Sequence, residues 1–165
     1  MASLSPLRTR QFEIDDLRGY LAGEWSFERS VIDHRGERLE FLGDAFVDAT
    51  RDAELIYSER AFLRSGPDLG AFSRTYRYVP TGATSADVLF EDGSFFYRLD
   101  LARARCRARH DCRDDVYLGL ILATPSAWLT RWRCFGPAKD YVVTTRLRRI
   151  QIQPVMSDTR QPFPH

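Results

Sequence analysis

The chain has 165 residues, 44% of them hydrophobic and 13% aromatic, with a formal net charge of +1. That length builds one core and is too short for two ordinary domains; the apolar content excludes global disorder. The near-neutral charge supplies no field for nucleic acid or an anionic membrane.

Cys106, Cys112 and Cys134 are odd in number and include no Cys-x-x-Cys, which argues against a disulfide framework and a zinc ribbon. The first residues, Met1 to Phe12, hold no run apolar enough for a signal peptide, and no stretch approaches the roughly 20 apolar residues of a membrane span. A cytoplasmic location is expected. Arginine supplies nearly all the basic charge, and Lys139 is the one lysine.

Residues 1–11 read as a flexible tail. The acidic pair Asp15-Asp16, then Leu17 and Leu21 one turn apart, then Gly23, predict a short helix able to plug one end of a barrel. Period-2 patterns follow. Trp25, Phe27, Arg29 and Val31 alternate with polar residues up to the turn at His34-Arg35-Gly36-Glu37. Leu39 to Val47 is the next strand, with Gly43 expected to mark a bend or bulge. Ala53 to Phe62 follows, then a turn at Ser65-Gly66-Pro67-Asp68. Phe72, Arg74, Tyr76 and Tyr78 share one face of the strand after it. Asp92-Gly93 is a tight-turn signal between Ala86–Phe90 and a return strand carrying Phe95, Tyr97, Leu99 and Leu101 on one face. Strands are expected at Arg107–Cys112, Val116–Ala123, Trp128–Phe135 and Tyr141–Arg149, and residues 151–165 read as an irregular tail.

Nine or ten short strands joined by hairpins, with one short helix in front, predict an all-β antiparallel barrel over residues 12–150. Closure removes the exposed edges that so many strands would otherwise leave. Gly23-Glu24-Trp25 at the start of the first strand resembles the opening of lipocalin-like (calycin) barrels. That resemblance implies that an arginine of the last strand packs across Trp25; Arg149 is chosen from Arg146, Arg148 and Arg149 because it shares phase with Tyr141, Val143 and Leu147.

Longer pieces carry a more specific likeness. They are Tyr20 to Trp25, Tyr57-Ser58-Glu59, Phe90 to Phe96, His110 to Tyr117 and Trp132 to Tyr141. Over about residues 17–149 the chain resembles a bacterial and fungal family of lipocalin-like domains of unknown function. The resemblance implies the fold and assigns no activity.

Chemistry could reside in His110-x-Cys112-x-x-Asp115-x-Tyr117. Asp115 would orient His110, and Tyr117 would donate to a developing oxyanion. The alternative is a buried polar network that fixes strand register. A metal site from His110, Cys112 and Asp115 has too few ligands, so no metal and no cofactor are expected. Glu59 shares a face with Leu55 and Tyr57, so it is either an acid/base inside the barrel or the ion-pair partner of Arg74. Lys139 sits at a turn tip and is expected to be solvated. Tyr57, Arg74, Tyr76, Phe95, Tyr97, Trp132 and Tyr141 are the candidate ligand contacts, and Phe27, Phe72 and Trp128 join the apolar lining.

The first functional expectation is binding of a small apolar or aromatic molecule with a polar or anionic group. The second is an enzyme using His110, Asp115, Glu59 and Tyr117 for acid/base isomerisation, cyclisation or hydration. The third is an interaction domain with a filled barrel. The expected partner is a small molecule rather than nucleic acid or membrane, with homodimerisation left open.

Overall fold

The computed structural model describes residues 12–50, 52–64 and 71–151. A short helix α1 (Leu17–Leu21) leads into ten antiparallel strands: β1 (Gly23–Asp33), β2 (Arg38–Ala49), β3 (Leu55–Leu63), β4 (Ala71–Pro80), β5 (Ser85–Phe90), β6 (Phe95–Asp100), β7 (Arg105–Cys112), β8 (Asp115–Ala123), β9 (Ala127–Phe135) and β10 (Asp140–Arg149). They form one sheet in the order β6-β5-β4-β3-β2-β1-β10-β9-β8-β7. The sheet curls into a nearly closed lipocalin-like barrel, with β6 and β7 meeting at the seam. The expected turn at Ser65 to Asp68 and both tails lie outside the described residues. No described helix is long and apolar enough to cross a membrane.

The seam between β6 and β7 is held by side chains; among the described residues no backbone ladder joins the two strands. His110 Nδ1 lies 3.0 Å from the carbonyl oxygen of Phe96, and Cys106 Sγ lies 3.6 Å from that of Arg98.

Alternation decides which side chains enter the barrel. On β3, Leu55, Tyr57, Glu59 and Ala61 are buried while Ser58 and Arg60 face solvent. One end is closed by α1, whose Leu17 and Leu21 are buried, and by Trp25, whose indole N–H donates to the Leu21 carbonyl at 2.9 Å. Arg149 lies across this end. Its guanidinium sits 4.3 Å from the Trp25 ring centre and donates to the carbonyls of Ala22 and Tyr20. The arginine expected from the resemblance therefore stands where it was placed.

One local expectation is corrected. Register runs unbroken through Gly43 on both sides, so there is no bulge at that position. A side chain there would meet the Phe27 ring and the Arg60 carbonyl, so the glycine admits close packing. The bulge lies instead between β5 and β6, where register shifts between Val88 and Leu89: Val88 pairs with Tyr97 and Leu89 with Phe95. The extra residue is Phe96.

Candidate ligand cavity

The barrel interior holds a cavity of about 820 Å³. This falls within the range of small-molecule sites, roughly 300–1,000 Å³. The floor is apolar: Val88 and Leu147, with Trp128 set edge-on to Trp25, Tyr57 and Tyr78. The Trp128 indole N–H is buried and has no acceptor among the described residues.

Midway up, β1 and β3 contribute a buried ion pair. Arg29 Nη1 and Nη2 bind the two oxygens of Glu59 at 2.8 and 2.7 Å, and Arg29 Nε donates to Thr145 Oγ1 at 2.8 Å. The Tyr57 hydroxyl donates to Glu59 Oε2 at 2.6 Å. Side-chain exposure is 15% for Arg29 and 4% for Glu59. Burial by itself would raise the Glu59 carboxyl, but the hydrogen bonds and charge of Arg29, aided by Tyr57, hold it below its ordinary value. Burial likewise works against the Arg29 charge, and Glu59 more than offsets it. Three of the five guanidinium N–H groups are used in these bonds, leaving two as donors.

Toward the mouth the walls become aromatic. Phe96 stacks on Phe90 at 4.6 Å, on Trp132 at 4.8 Å and on Tyr76 at 5.6 Å between ring centres. Arg74 is exposed and donates to the Tyr76 hydroxyl at 3.2 Å. Burial pushes the phenols of Tyr57, Tyr76, Tyr78, Tyr97 and Tyr141 above their ordinary range, so they stay neutral O–H donors. Two arginines and five neutral phenols make the lining rich in donors; its carboxylates are Glu59, neutralised by Arg29, and Glu91 and Asp92 on the β5–β6 turn.

Tyr57, Glu59, Arg74, Tyr76, Tyr97, His110, Tyr117, Trp132 and Tyr141 all line this cavity. Several expectations need correction. Phe95 is 52% exposed, because the bulge reverses its phase and turns Phe96 inward in its place. Phe72 is also exposed, and Phe27 is buried against Gly43 rather than set in the cavity lining. The partner of Glu59 is Arg29, although Arg74 stands opposite Glu59 in the ladder. β2 lies between β1 and β3, with Phe41 opposite Arg29 and Ala45 opposite Glu59; between them stands Gly43, so the diagonal reach crosses small residues.

Asp115 does not orient His110. It pairs with Cys112 at the end of the β7–β8 ladder, two positions beyond the His110–Tyr117 pair, and its carboxylate lies 2.8 Å from Lys139 Nζ. Gly136 has no side chain to obstruct Asp115 beneath the β9–β10 turn. His110 takes its orientation from the Phe96 carbonyl. Lys139 is solvated as expected, its side chain 40% exposed, and it also donates to the Tyr117 hydroxyl at 2.9 Å, at the cavity mouth. Arg29 had a visible signal, its phase with Trp25, Phe27 and Val31. Phe96 had none.

No curated protein matches the chain. Among solved structures, the S-type phycobiliprotein lyase from Guillardia theta is similar at a TM-score of 0.66 and 9% identity, over 87% of this chain and 96% of that one. A protein of unknown function from the DUF3598 family of Nostoc punctiforme is similar at 0.53 and 12% identity, over 81% of this chain and 49% of that one. At such identities these likenesses establish the barrel fold alone. Residues 21–149 match DUF6314, a family of unknown function, and the chain belongs to that family.

Proposed function

We propose that the barrel binds a small planar aromatic molecule carrying an anionic or acceptor group. The observation that carries this reading is the cavity of about 820 Å³, whose aromatic walls enclose the donors of Arg29 and neutral phenols, with Glu59 neutralised by Arg29 and the other two carboxylates, Glu91 and Asp92, on the β5–β6 turn. A purely structural barrel would fill this space with side chains. The aromatic walls suit a flat ring, and Arg74 and the free donors of Arg29 suit its acidic group.

Calorimetric titration with 2-naphthoate and the uncharged 2-methylnaphthalene tests the reading. Naphthoate should bind more tightly, and Arg74→Ala should cost it about tenfold, or ~1.4 kcal/mol, as for one hydrogen bond to a charged group. The hydrocarbon should be unaffected. No heat and no displacement with either probe would refute the reading. Acid/base chemistry in the same cavity is a second reading, favoured by the way His110 is held.

A further inference from the structure

We propose that His110, Tyr117 and Lys139 form a subsite for an acidic hydroxyl, a phenol or an enol, and that the ligand is held there as its oxyanion. This assignment rests on the cavity being a ligand site and adds the chemical class of the group bound at its mouth.

The first observation concerns the His110 tautomer. A carbonyl oxygen can only accept, so the 3.0 Å contact with Phe96 requires the proton on Nδ1. The neutral ring then keeps its lone pair on Nε2, in a residue that lines the cavity. The bulge that turns Phe96 inward thus also helps hold a base in its reactive tautomer.

The second observation concerns Tyr117. It is the cross-strand partner of His110, the two ring centres lie 5.8 Å apart, and both line the cavity. Its oxygen accepts from the Lys139 ammonium at 2.9 Å, so its own O–H can be given to a ligand, with the Tyr141 hydroxyl as its competing neighbour. The ammonium also makes that O–H a stronger donor. Asp115 fixes Lys139 from the far side at 2.8 Å. Tyr141 stands beside Tyr117, Cys112 lies on the His110 face of β7, and Glu91 and Asp92 complete the charged groups of the lining. Lys139 is the one lysine in the chain and it bears on this hydroxyl.

The step is a proton transfer. The ligand O–H bond breaks, its proton forms an N–H bond at His110 Nε2, and the electron pair stays on oxygen. The oxyanion accepts the Tyr117 O–H, with the Lys139 charge behind it and the new imidazolium beside it. Phe96 packs against both His110, at 5.1 Å, and Trp132, so a ring stacked there would carry its hydroxyl toward the base.

Two probes separate this proposal from the reading it rests on: 4-nitrophenol, whose phenolate has its own visible absorption band, and 4-nitroanisole, which cannot ionise. Below the free phenol's midpoint, bound 4-nitrophenol should show the phenolate band. Lys139→Met should lower the bound phenolate-to-phenol ratio about tenfold. His110→Asn keeps a donor for the Phe96 carbonyl but supplies no base, and should abolish the band. The 4-nitroanisole affinity of each variant is read alongside, so that a general loss of binding is told apart from a loss of ionisation. If 4-nitroanisole fails to bind, the cavity reading falls and the proposal with it. If it binds and 4-nitrophenol is bound only as the neutral phenol, the proposal alone is overturned.

Discussion

Arg29→Met tests the centre of the barrel. It removes both guanidinium bonds to Glu59 and leaves the carboxylate, 4% exposed, with the Tyr57 hydroxyl as its remaining hydrogen bond. Breaking a buried pair by removing one partner costs about 3–5 kcal/mol. For a chain of this size each kcal/mol moves the melting temperature by about 2–4 °C, so a fall of about 6–20 °C is expected. Replacing both partners, Arg29→Met with Glu59→Leu, should recover most of the loss, since an apolar pair of similar volume no longer buries a lone charge.

The pH dependence has a definite sign. In the wild type the Glu59 carboxyl is held below its ordinary value, so its contribution is present above the unfolded carboxyl pKa of about 4.3 and is lost as pH falls through the lower folded value. In Arg29→Met only burial and Tyr57 remain strong; the folded value rises above the unfolded one, and the penalty is relieved as pH falls. The stability gap should therefore be full near pH 7–8 and shrink toward about pH 4. Urea unfolding at several pH values reads it. A gap under about 1 kcal/mol at neutral pH, or one that does not change with pH, would refute the reasoning.

Two further changes probe the closed end and the wall. Arg149→Ala removes the guanidinium over Trp25 and its bonds to the Ala22 and Tyr20 carbonyls, and should cost about 2 kcal/mol in urea unfolding. It should leave 2-naphthoate affinity unchanged, because it acts at the end away from the mouth. Gly119→Val should drive the Trp132 indole off its seat, since even a Cβ there would stand 2.7 Å from the ring. A stability loss of about 1–3 kcal/mol, an altered near-ultraviolet circular dichroism spectrum and weaker naphthoate binding are expected.

Much of the fold was legible because strand period and turn chemistry agree along the chain. Asp92-Gly93 illustrates this: the structure shows a turn with Gly93 at φ +84° and the Asp92 carboxylate accepting from the Ser94 N–H. The inward phase of Tyr57, Glu59, Tyr76 and Trp132 followed from the same alternation. Phe95 failed because one extra residue in β6 reverses the faces, and the sequence of that strand carries no mark of the bulge. The Arg29–Glu59 pair was missed because ladder neighbours are easier to infer than a reach across β2 that depends on Gly43 and Ala45. The exposure of Lys139 followed from its turn position, but its contact with Tyr117 was not legible, because it arises only when β8 and the β9–β10 turn come together.

The central claim is that the barrel interior is a ligand cavity with donors set among aromatic rings. A crystal structure of the protein grown with 2-naphthoate tests it most directly. The fused ring is expected against Phe96 and Trp132, with the carboxylate within hydrogen-bond distance of Arg74 or Arg29. An interior filled by the protein's own side chains, with the naphthoate absent or on the outer surface, would contradict it.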